Sequence, residues 1–176
     1  MKLLNTLILA LGLASASPAQ DTYKAPSPSK PTPTPPVTNG HIPKGYKWHV
    51  TSWSAGCARH GCYYDFNVTG TADRGMPDFL AYCSGEDSGF FADCKLLKSG
   101  KRKDGPPSVA ARLGHYDVEK ADGKARLGVS LAFEERLSKD TLATWNFTGR
   151  YNATFNQFVA PLEEFYVTPN EVSGVA

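Results

Sequence analysis

From Tyr46 to Val167 apolar residues recur at every second position, in short runs cut by glycine, proline and Asp/Asn. A period of two sends successive side chains to opposite faces of a pleated strand, so each run has one face to bury and one to leave wet. Tyr46, Trp48 and Val50 share a face, as do Tyr64, Phe66 and Val68. The pattern continues through Phe79-Ala81-Cys83, Phe90-Ala92-Cys94-Leu96, Val109-Ala111-Leu113 and Leu127-Val129-Leu131-Phe133. Trp145-Phe147, Tyr151-Ala153-Phe155 and Phe165-Val167 complete it. About eight strands with turn residues between them predict an all-β fold, a compact antiparallel barrel or sandwich. The one stretch read as helical is a turn near Glu134 to Lys139.

Four cysteines allow three disulfide connectivities. Cys57 and Cys62 flank Ala58-Arg59-His60-Gly61 between the first two runs, and Cys83 and Cys94 bracket the turn Ser84-Gly85-Glu86-Asp87. Residues closing a hairpin face each other within disulfide reach, which favours 57–62 with 83–94. A 57–62 pairing turns Trp53 inward with Phe66, yet Trp48 and Val50 have the other parity. A bulge near Thr51-Ser52 reconciles the two. Zinc is the rival use of the thiols, but the spacings match no common zinc module, and an oxidising export route makes disulfides. No metal or cofactor is expected.

The first residues read as a secretory leader. Lys2 precedes the short apolar run Leu3 to Leu13, and Ala14 and Ala16 fit a cut after residue 16, with a second permitted after residue 19. Eleven such residues span about 16 Å against a bilayer core of about 30 Å, so no transmembrane segment is expected. Residues 17–43 change character: eight of the 13 prolines lie from Pro18 to Pro43, among serines and threonines. That composition favours an extended, disordered linker. The β domain is then expected over 44–176, outside the cell. With 19 basic and 17 acidic side chains the net charge is +2, too balanced to release counterions from a nucleic acid. Nucleic-acid binding is not expected.

Sequons occur at Asn67, Asn146 and Asn152, each at the outward parity of its run. A search for catalysis finds no nucleophile elbow, since Gly128-Val129-Ser130-Leu131-Ala132 lacks the closing glycine. His41, His49, His60 and His115 show no paired spacing. The doublets Glu86-Asp87, Glu134-Glu135 and Glu163-Glu164 point to opposite faces, so they read as solvated edge charge rather than a glycosidase pair. The chain is therefore read as non-enzymatic. Lys95, Lys98, Lys101, Arg102 and Lys103 form one basic cluster, a solvated loop or else a docking patch for an anionic surface or a dibasic processing site.

Trp53-Ser54-Ala55-Gly56-Cys57, then Cys62-Tyr63-Tyr64-Asp65-Phe66-Asn67-Val68, Pro77-x-Phe79 leading to Cys83, and Phe165-Tyr166-Val167-Thr168-Pro169 at the end carry a resemblance. Over Tyr46 to Ala176 the chain resembles the Alternaria major-allergen-like family of small secreted fungal proteins. The resemblance implies a β-barrel-like fold, an allergen, elicitor or effector role in virulence, and no catalytic residues to carry across. Of the family's bridging cysteines only Cys83 and Cys94 look matched. The chain lacks a fifth, unpaired cysteine, so a covalent dimer is not expected.

Three functions follow as expectations. The first is binding of a host or cell-surface protein, with Trp53, Arg59, His60 and Tyr63 as contact residues, because arginine and aromatic side chains anchor interfaces. The second is carriage of a small phenolic or apolar ligand between Trp48, Trp145, Phe147 and Phe155. The third is a cell-wall polysaccharide binder, which needs Trp53 and a tyrosine coplanar on one exposed face.

Overall fold

The computed structural model describes residues 40–115, 123–156 and 162–176. The expected leader and all but the last four residues of the proline-rich linker lie outside the described residues. Ten strands are described: β1 (Trp48–Ala58), β2 (Gly61–Gly70), β3 (Phe79–Glu86), β4 (Ala92–Asp93), β5 (Lys95–Ser99), β6 (Ser108–Leu113), β7 (Lys124–Arg136), β8 (Leu142–Thr154), β9 (Glu163–Val167) and β10 (Pro169–Val175). They form two five-stranded antiparallel sheets, β5-β3-β2-β1-β9 and β10-β8-β7-β6-β4. Side chains of both sheets share one apolar core, from Trp48, Phe66 and Ala81 on the first to Leu113, Val129 and Phe147 on the second. Among the described residues no ladder joins one sheet to the other, so the pairing is that of two layers. No helix there is long and apolar enough to cross a membrane.

The period-two reading holds strand by strand, with four corrections. Trp145-Phe147 and Tyr151-Ala153-Phe155 keep one parity, and Trp145 to Ala153 lie in a single strand, β8. The turn expected at Glu134–Lys139 is strand through Arg136, because Glu134, Glu135 and Arg136 pair with Thr144, Ala143 and Leu142. Phe90-Ala92-Cys94-Leu96 is not one strand. Ala92 and Asp93 pair with β6 in the second sheet, whereas β5 returns to β3 in the first, so the chain changes sheet at Cys94. The fourth is β10, unforeseen because Asn170, Glu171 and Ser173 interrupt the apolar period; it adds to β8 as an edge strand with Pro169 at its first position, where a missing N–H is tolerated. To reach it, the chain crosses at Thr168 directly over Gly149. A Cβ at Gly149 would sit 2.9 Å from the Thr168 carbonyl oxygen, too close for any other residue.

Packing also begins earlier than the composition boundary at Lys44. Pro43 is buried and Ile42 packs against the core. Gly40 lies on the Trp145 indole, whose other neighbour, Gly174 of β10, has no room for a Cβ either.

The bulge expected in β1 is present. The β1–β2 register shifts between Thr51 and Ser54, and Ser52 adopts a positive φ of 55°. The extra residue flips parity so that Trp48, Val50 and Trp53 are all fully buried. Trp53 then packs against Tyr64, Phe66 and Phe165 at ring separations of 6.5, 5.6 and 5.7 Å. Its indole N–H donates to the Thr154 carbonyl at 2.8 Å. The Asn156 carboxamide completes the interlock: Nδ2 donates to the Trp53 carbonyl at 2.7 Å, and Oδ1 accepts from the Ala55 N–H at 2.9 Å. One side chain thus serves as the missing strand partner of β1 beyond the end of β9.

Two tyrosines are buried with their hydroxyls. Tyr64 donates to the Ala111 carbonyl at 3.0 Å, tying β2 to β6 across the layers. Burial pushes its phenol up to about 12. Burial likewise pushes Tyr46 up to about 12; the Trp48 indole partly offsets this, and Asp73 and Asp78 add to the rise.

Two predictions follow from this packing. Asn156→Ala leaves two backbone groups of the bulge unpaired and is expected to cost about 1–3 kcal/mol, read from urea unfolding. Because both phenols titrate higher when folded than the usual 10, the fold favours their neutral form. The stability this contributes is complete below about pH 10 and lost as pH climbs through about 12. Urea midpoints of the intact protein should fall over that window, and Tyr64→Phe should fall less steeply.

Candidate functional site

One end of the fold gathers the exposed side chains suited to contact. The β1–β2 turn is tighter than expected: Cys57 pairs with Cys62 and Ala58 with Gly61, leaving only Arg59-His60 at the tip, both exposed. Cys57 and Cys62 are bridged with Cα atoms 3.9 Å apart, which holds the turn closed. Tyr63 is half-buried on the outer face of β2, opposite Glu86 of β3. Trp53, expected as a contact residue, is corrected: it is fully buried, because the bulge at Ser52 turns it into the core. That burial also removes the exposed Trp53–tyrosine platform on which the polysaccharide expectation rested.

Beside this tip runs the loop 87–91, whose aromatic residues the period-two reading assigned to a strand. Phe90 is 79% exposed and Phe91 42%. A Phe-Phe doublet places its rings on opposite faces of any strand; that, with Ser88-Gly89 before it, was the available signal of a loop. The loop is latched to both sheets. The Asp87 N–H donates to the Cys62 carbonyl at 2.9 Å, and the Gly89 N–H to the Leu113 carbonyl at 3.1 Å. Arg112 donates through Nη1 to the Gly89 carbonyl at 3.2 Å and lies 4.9 Å over the Phe91 ring. The Cys83–Cys94 disulfide closes the loop's base where the chain changes sheet. Phe90 is therefore presented on a tethered loop, close to a charged tip.

The other expected residues are placed as follows. Asn67 is half-buried, and Asn146 and Asn152 are exposed, all on outward faces. Of the aromatics expected around a carried ligand, Trp48 and Phe147 are fully buried and packed on Phe79 and Phe133, at 6.3 and 5.6 Å. Trp145 and Phe155 are half-buried against the same core. His49 stacks on Tyr166 at 4.7 Å and lies 3.3 Å from Glu164 on the outer face of β1 and β9. Glu135 departs from the edge-charge reading, being buried and accepting from the Trp145 indole at 2.9 Å.

Arg102 of the basic cluster is clamped. Its Nη1 and Nη2 donate to the carbonyls of Gly75 and Glu134 at 3.2 and 3.0 Å, and it lies 4.7 Å over Phe133. A processing protease needs that side chain in its own pocket, so Lys101-Arg102 is a poor cleavage site in the folded chain. Lys95, Lys98, Lys101 and Lys103 remain exposed, the first two on the edge strand β5, where charge discourages pairing with another sheet. Both disulfides stand as expected and leave no free cysteine. Among the described residues no group of three or more His, Cys, Asp or Glu could hold a metal ion.

No protein-family model, no curated protein and no solved structure matches this chain.

Removing the lower tether tests the loop. Replacing Cys83 and Cys94 together by serine is expected to cost about 3 kcal/mol and to release the loop. Hydrogen exchange at the Gly89 amide should then accelerate well before that at the β7 amides.

Proposed function

We propose that this chain is an exported, non-catalytic binding domain of the effector, elicitor or allergen kind, which engages a host or cell-surface protein through its Phe90 end. The observation that carries this reading is Phe90, 79% exposed on a loop held by hydrogen bonds to both sheets and by a disulfide. A large apolar side chain kept rigidly in water loses little conformational entropy on docking. The adjoining β1–β2 tip, to which the loop is bonded through Asp87 and Cys62, exposes Arg59 and His60, residue types suited to rim a contact. Export is supported by the leader-like Met1–Ala16 segment and by cysteines spent wholly on disulfides, which persist in oxidising compartments. The aromatic residues that would line a carrier's chamber are packed into or against the apolar core, so an external contact accounts for more of the molecule than an internal ligand.

The test is binding of the labelled, secreted protein to intact plant and animal cells. Saturable binding that trypsin treatment of the cells abolishes, and that Phe90→Ala weakens about ten-fold without lowering the melting temperature, is the expected result. Equal binding by Phe90→Ala, or undiminished binding to protease-treated cells, would reject the reading.

A further inference from the structure

A second surface lies on the outer face of the second sheet, where a groove of about 420 Å³ crosses β6, β7 and β8. Its floor is Gly128. Arg112 is the direct partner of Gly128 on β6, and Arg150 its partner on β8. The two arginines therefore flank a residue with no side chain, with Cα atoms about 10 Å apart across two strand spacings. Arg126 stands two residues along β7 on the same face and lines the groove, opposite Asn152 of β8. His115, just past the end of β6, also lines it.

The groove is built rather than merely basic. The hydrogen bond to Gly89 and the contact with Phe91 hold the Arg112 guanidinium down over β7. It fits because Gly128 is bare: a Cβ there would come within 3.1 Å of Arg112 Cγ and Nε. Arg150 is exposed and braced by Glu171 of β10 at 3.1 Å. Arg112 is braced through Nη1 and Arg150 through Nη2, which leaves each guanidinium further N–H donors of the kind that planar or tetrahedral oxyanions accept. Neutral polar groups line the same groove: the Asn152 amide, opposite Arg126, and the His115 imidazole. A ligand matching both sets must carry oxyanions and several hydroxyls together.

We propose that this groove binds an acidic saccharide, with a carboxylate or sulfate held between Arg112 and Arg150 and sugar hydroxyls meeting Asn152 and His115. The groove borders the Phe90 loop through Gly89 and Arg112, but Phe90 itself does not line it, and Phe90→Ala is expected to leave it intact, so either reading can fail without the other.

Calorimetric titration of the secreted protein tests it, with N-glycans trimmed so that any sugar on Asn152 leaves the groove open. The probes are a hexamer of uronic acid, the same hexamer fully methyl-esterified, and a sulfated hexasaccharide. Binding of at least one charged hexamer is expected, and whichever binds more tightly identifies the oxyanion. The esterified hexamer should bind at least about ten-fold more weakly than the acid, and Arg150→Ala should weaken the charged ligand by about ten-fold. Lys98→Ala, which removes an equal charge from the edge of the first sheet, should change nothing. Failure of both charged hexamers to bind, an ester that binds as tightly as the acid, or a loss with Lys98→Ala as large as with Arg150→Ala would each overturn the proposal.

Discussion

The architecture depends on how β1 handles its own bulge. Seven residues of one strand, Trp48 to Ser54, must bury Trp48, Val50 and Trp53, which a regular pleat does not allow. Inserting Ser52 at positive φ solves the parity problem but breaks the ladder on both sides, toward β2 and toward β9. Asn156, over a hundred residues away, repairs it by bonding both the Trp53 carbonyl and the Ala55 N–H. With Thr154 holding the indole, the end of β8 in one sheet is joined to β1 in the other. The aromatic cluster of Trp53, Tyr64, Phe66 and Phe165 can then close around a fixed centre.

Given that core, the chain's sheet changes decide what is left outside. Between Cys83 and Leu96 the chain leaves the first sheet, spends two residues beside β6 and returns. So short a visit cannot bury consecutive phenylalanines, and the disulfide prevents the segment from retreating. Phe91 settles on Arg112, and Phe90 is left in solvent. The same latch carries a second consequence: by pressing Arg112 over Gly128, Phe91 shapes one wall of the arginine-lined groove. A local conflict between alternation and connectivity thus generates both surfaces on which the proposed contacts rest.

Legibility in the sequence followed the range of the interaction responsible. The regular strands β2, β6 and β7 could be read because burial on one face imposes period two on every residue. Even the bulge was legible, since the disulfide register and the apolar parity disagreed between Val50 and Trp53. The two bridges were legible for the same local reason, each closing a short hairpin-like segment. Phe90 and Phe91 were missed because Phe90, Ala92, Cys94 and Leu96 satisfy the alternation while lying in two different sheets and a loop. Trp53 was named for the surface on its residue type, although the bulge argument already turned it inward.

The sequence by itself determined that this chain is all-β, where most strands lie, which cysteine pairing is favoured and which sequons face outward. Each of these is a decision made between neighbours a few residues apart, where the alternation of the pleat and the reach of a disulfide suffice. Only the tertiary structure decided that there are two five-stranded layers, that Asn156 completes β1, that Arg102 is a clamp rather than a loose basic residue, and that Arg112, Gly128 and Arg150 stand in one row. Those placements depend on which distant strands become neighbours. Strand order is set by packing the whole apolar surface at once, and no short window of sequence carries that information.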